Sequence, residues 1–169
     1  MSLLNKMKFW WEMRNISLQN CPKFRIEGNH WGKCIRVVDG DTFHVAFKYR
    51  NQINSFCIRL AGCDTPEMRP HGLEGKEKEI HKKLAEDAKV FVERFILNQR
   101  VQVLIDPKDN DKFGRLLARI QLSCGCDLTE ILVKSKRALA YNGGEKTSEF
   151  PQPDLTFKSC LCRKTKISL

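Results

Sequence analysis

At 169 residues with a formal net charge of +10 and a pI near 9.3, the chain is long enough for one domain with a real core and short for two. The charge favours polyanionic partners, nucleic acid or an anionic membrane surface, and decides nothing about fold or catalysis. No apolar run approaches the roughly 18–20 residues that cross a bilayer, and residues 7–13 are too short and too interrupted for a secretory signal core, so a soluble, intracellular protein of unspecified compartment is expected.

Without a secretory signal, the eight cysteines read first as reduced, mostly buried small apolar residues. Cys124-Gly-Cys126 and Cys160-Leu-Cys162 stand apart. For these pairs free thiols, a disulfide and a zinc site all stay open.

Residues 1–30 mix Phe9, Trp10 and Trp11 with lysines and arginines and show no sustained period, so they read as a basic and aromatic N-terminal extension that packs on the domain, on a protein partner or on a nucleic acid strand. From Lys33 the pattern turns to strand. Cys34–Val38 and Thr42–Phe47 flank Asp39-Gly40, a hairpin signal in which glycine would supply the positive φ of a type I′ turn. A polar connection over 49–54 leads to a strand at Ser55–Ala61, with Phe56, Ile58 and Leu60 on one face and Arg59 among small side chains on the other.

After a loop with Pro70, Gly72 and Gly75, spacings of three and four among Ile80, Leu84, Ala88, Phe91, Val92, Phe95 and Ile96 predict a helix from about Lys76 to Leu97. Strands are expected at Val101–Ile105 and Leu116–Leu122 with a turn over Pro107–Gly114 between them. Asp127 and Glu130 form a capping-box pattern for a second helix, carried to about Tyr141 and stopped by Asn142-Gly143-Gly144. Pro151 and Pro153 forbid a helix there, and residues 146–169 read as a basic C-terminal tail.

Three segments carry groups for chemistry: Asp39-Gly40-Asp41-Thr42, then Arg59 with Asp64-Thr65-Pro66-Glu67, then Asp111-Lys112-Phe113-Gly114-Arg115. Each alone is an ordinary turn. In this order and spacing they resemble the staphylococcal nuclease (thermonuclease) family over roughly Lys33 to Tyr141.

The resemblance implies an α+β fold dominated by a five-stranded Greek-key β-barrel of the oligonucleotide-binding type, with two to three packed helices and a domain spanning residues 31–145. It implies a calcium ion held by Asp41, Asp64 and the Thr65 carbonyl. Glu67 would orient or deprotonate the attacking water, Arg59 and Arg115 would grip the phosphate, and Lys112, Phe113 and Tyr141 would hold the nucleotide. Phe113 and Gly143 stand where the best-studied members carry tyrosines.

The implied activity is calcium-dependent, largely sequence-nonspecific hydrolysis of phosphodiester bonds in single-stranded or fraying DNA and RNA. The alternative is a non-catalytic nucleic-acid-binding or scaffold module on the same fold, anchored in a larger assembly by its tails.

Overall fold

The computed structural model describes residues 2–17, 19, 25–70, 72–110, 114–144 and 149–157. In chain order they form helix α1 (Leu3–Met13), strands β1 (Gly28–Val37), β2 (Thr42–Tyr49), β3 (Gln52–Leu60) and β4 (Cys63–Asp64), and helix α2 (Gly75–Ile96). Strands β5 (Arg100–Asn110) and β6 (Leu116–Leu122), helix α3 (Leu128–Lys134) and strand β7 (Leu139–Ala140) complete it.

The alternation that marks the strands in sequence also closes them. Phe43, Val45 and Phe47 of β2, Ile58 and Leu60 of β3, Val101 and Val103 of β5, and Ile120 of β6 are all buried, and they point into one core. Strands with one apolar face lower their free energy by wrapping it inward, and full closure leaves no unpaired edge. The closed order is β1-β2-β3-β6-β5. Its β3–β6 pairing is parallel, and the other four are antiparallel. This is the expected α+β architecture with a five-stranded barrel. Helix α2 lays Ala85, Ala88, Val92 and Ile96 on the barrel, and α3 adds Leu128, Ile131 and Leu132. Among the described residues, no helix is long and apolar enough to cross a membrane.

Several local expectations change. Residues 3–13 are helical, with Ser2 as N-cap accepting from the Asn5 amide. Every described side chain of α1 is exposed, so no core imposed a readable pattern on it. Strand β1 starts at Gly28, earlier than the apolar pattern, because the ladder to Ile105 and Leu104 of β5 extends through the glycine-rich stretch. Strand β5 continues past Pro107 to Asn110, with an irregularity after Ile105. The buried face of α2 is rotated: Ile80 is 53% exposed and His81 takes the buried position.

The two hairpins exchange their chemistry. Gly40 lacks a positive φ, but a Cβ there would lie 3.0 Å from both the Ala88 Cβ and the Thr65 Cγ2. Glycine is required for close approach, not for turn handedness. The type I′ geometry belongs to the β2–β3 connection, where Tyr49 pairs with Gln52. Between them Arg50 and Asn51 have φ of 46° and 65°, as a two-residue loop of that type demands.

Helix α3 ends at Lys134, short of the expected Tyr141. The Ser135 hydroxyl donates to the Leu132 carbonyl, Lys136 turns left-handed at φ 57°, and Leu139 joins β7 instead. Asp127 caps α3 as expected, accepting from the Thr129 and Glu130 amides. Glu130 pairs forward with Lys134 at 3.0 Å.

Candidate active site

The three segments meet at one end of the barrel. Antiparallel pairing sets Thr42 opposite Arg59, and parallel pairing sets Arg59 beside Leu117, two residues past Arg115. The Leu60 amide donates to the Asp41 carbonyl at 2.7 Å, fixing the β1–β2 loop against β3. Asp64 is held by a short ladder, since β4 pairs with β7 through Cys63–Ala140 and Asp64–Leu139. Across it, the Thr129 hydroxyl donates to the Ala61 carbonyl at 2.8 Å and the Tyr141 amide to the Gly62 carbonyl at 3.1 Å.

Arg59 lies at the centre. Its Nη1 contacts Asp41 Oδ2, and its Nη2 donates to Asp64 Oδ1 at 2.6 Å. Asp41 is 2% exposed and Asp64 5%, so their oxygens need hydrogen-bond donors within the protein, and Arg59 supplies them. Burial works against the Arg59 charge, but Asp41 and Asp64 more than offset it, and the guanidinium holds its proton more firmly than usual. Asp41 Oδ1 also accepts from the Thr42 hydroxyl at 2.9 Å, and Oδ2 accepts from the Thr65 amide at 3.4 Å. Arg115 Nη1 donates to Thr42 Oγ1 at 3.2 Å, bringing the second arginine to the same loop.

Asp39 completes the acidic side. Its Oδ1 is buried and accepts no hydrogen bond. Its pKa lies above the usual 3.8, raised first by burial and then by the neighbouring Asp41 charge. Glu67 is exposed next to the buried Pro66, and its charge reaches Asp39. Tyr141 lines a groove with Arg59, Leu117 and Arg119, and its hydroxyl donates to the Gly144 carbonyl at 2.8 Å. Asn29 and Leu104 line the same groove, although nothing in their local sequence marks them. Strand register alone brings them there. Lys112 and Phe113 lie outside the described residues.

The structure thus gathers Asp41, Thr65, Asp64, Arg59 and Arg115, with Glu67 nearby and Tyr141 in the groove beside them. Among the described residues no group of three or more His, Cys, Asp or Glu side chains is arranged as a metal centre. The oxygens of Asp41 and Asp64 instead converge on a guanidinium, which marks the place where this pair requires positive charge. Such an all-oxygen set suits a hard cation better than zinc.

Two described cysteines are set apart from thiolate chemistry. Cys34 and Cys63 are free and buried, their thiols pushed up by burial to about 11 and about 12, so neither is a thiolate nucleophile or ligand. Cys124 and Cys126 are disulfide-bonded. Of the three readings left open for that pair, this is the disulfide. Cys160 and Cys162 lie outside the described residues.

The family described as staphylococcal nuclease homologue matches residues 57–169. A thermonuclease of Staphylococcus hyicus is 33% identical over 97 residues, covering 53% of this chain and 47% of that protein. An uncharacterised protein of Methanocaldococcus jannaschii is 34% identical over 107 residues, covering 54% of this chain and 48% of its own length. The chain therefore spans about half the length of these curated relatives.

Proposed function

Because the chain belongs to the staphylococcal nuclease homologue family, we propose that its carboxylate and arginine cluster hydrolyses phosphodiester bonds in DNA and RNA. The observation that carries this reading is the convergence on one barrel end of Asp41 from the β1–β2 loop, Arg59 from β3 and Asp64 from β4, with Arg115 on the adjoining Thr42.

Arg59 and Arg115 would grip the phosphate and meet the negative charge that grows on its oxygens as a fifth bond forms, where fixed donors are worth most. Arg59 would turn from the aspartates toward the phosphate. Asp41, Asp64 and the Thr65 carbonyl oxygen would hold a calcium ion, and Asp39 would add a further carboxylate to that acidic side. Calcium, when bound, supplies a Lewis acid and a template for the reacting groups. Exposed Glu67 would take the proton of the attacking water, and Tyr141 would line the nucleotide's groove. None of these groups reads a base edge, so cleavage with little sequence preference follows, on strands single enough to enter the groove.

Cleavage of single-stranded DNA and RNA is to be measured with calcium, with magnesium and with chelator. Turnover in calcium that chelator abolishes is expected. A protein inert under all three conditions that still binds the strands would be a binding module, and the enzymatic reading would be wrong.

A further inference from the structure

Beside the groove, on the outward face of β1, β5 and β6, the barrel carries a second set of side chains that the proposed chemistry does not use. Register places Asn29, Leu104 and Arg119 in one row across the three strands, and all three line the groove that holds Arg59 and Tyr141. Two residues further along, on the same face, stand Trp31, Gln102 and Gln121. The next row pairs Lys33 with Arg100. Same-face rows on a strand are about 6.6–6.8 Å apart, a step that one unstacked nucleotide can span.

Trp31 is 47% exposed, an unusual position for a large aromatic on a barrel wall. The Arg100 guanidinium lies 4.4 Å from its ring centroid. An arginine packed on one part of an indole holds the ring in place while much of its surface stays open. Lys33 and Arg100 are exposed beside it. Arg119 pairs with Asp127 at 2.9 Å, and that carboxylate also caps α3. Asp127, bridged to Gln121 at the end of the middle row, is the acidic neighbour of these rows, and its carboxylate is engaged by Arg119 and the start of α3.

We propose that this face is a track for single-stranded nucleic acid. One end of the strand lies in the groove at Arg59, the backbone runs past Lys33 and Arg100, and a base one or two nucleotides away stacks on Trp31. The occupant follows from the combination of features: cations call for a polyanion, an open indole for a planar base, and the row spacing for an extended strand. The inference rests on the nucleic-acid reading of the site and adds the direction of the strand and its stacking residue.

The test is the affinity of the full chain for labelled oligothymidylates of increasing length, in chelator so that nothing is cut. Wild type should gain affinity once the strand is long enough to reach Trp31. Trp31→Ala should lose about tenfold or more on long strands and little on a dinucleotide, Trp31→Phe should recover most of the loss, and Arg100→Ala should flatten the salt dependence. Long-strand binding by wild type that Trp31→Ala and Arg100→Ala leave intact would overturn the track and leave the cleavage centre standing. Absence of any strand binding by wild type would overturn both.

Discussion

Asp39 shows how much a single side chain in this cluster gives up. Its carboxyl is held above 3.8 by burial first and by Asp41 second, and one of its oxygens is buried without a donor. Between the unfolded value of 3.8 and the raised folded value, the folded chain binds more protons than the unfolded one. Stability therefore falls as pH rises through that window, and the full penalty is present at neutral pH. Asp39→Asn should raise the thermal midpoint at neutral pH in chelator and give no such gain below pH 3.8. An equal gain at both pH values would mean that the penalty does not come from ionisation. Strain of this kind is a common mark of a functional site. The sequence shows three carboxylates in the order Asp39, Asp41, Asp64, but not which of them keeps a buried oxygen without a donor, since that depends on where Arg59 reaches.

Among the elements, those with local causes were the legible ones. Strand alternation showed β2, β3 and β6, spacings of three and four showed α2, and Asp127 showed the start of α3. Elements with distant causes were not. The two-residue strands β4 and β7 exist only because Cys63–Asp64 and Leu139–Ala140 find each other, and no propensity in either dipeptide announces it. Arg137 was missed for the same reason. Its side chain is 7% exposed, Nε donates to Asp87 of α2 at 2.7 Å, and Nη1 donates to the Ser135 and Asp154 carbonyls, each at 3.3 Å. The guanidinium also lies 4.1 Å from the Phe91 ring centroid. One residue thereby ties α2 to the turn after α3 and to the segment around Asp154, whose Phe157 ring approaches Phe91 as well. Arg137→Ala should cost about 1–3 kcal/mol, because it removes three hydrogen bonds and the contact with Phe91, while Asp87, 39% exposed, can turn to water. Chemical denaturation would read this, and a change below about 1 kcal/mol, the range of an exposed pair, would deny the residue this role.

At the scale of the molecule, the barrel is what turns three unremarkable turns into a site. Asp41 and Arg59 meet by antiparallel register, Arg115 arrives through the parallel β3–β6 pairing, and Asp64 is held from outside by β7. Order and spacing of the segments were readable in the sequence. The direct Arg59 bridge to both aspartates was not, because a strand's alternation gives the side on which a side chain lies but not how far it reaches. The net charge of +10 favours polyanions in general without choosing among them, so chemistry has to be tested at the cluster itself. Glu67 allows the most direct test, being exposed and outside the buried Arg59, Asp41 and Asp64 group. Single-turnover cleavage of a single-stranded oligonucleotide in calcium should fall by about 10²–10⁴-fold in Glu67→Gln, with the thermal midpoint and strand affinity in chelator unchanged. Cleavage by Glu67→Gln at the wild-type rate would contradict the account.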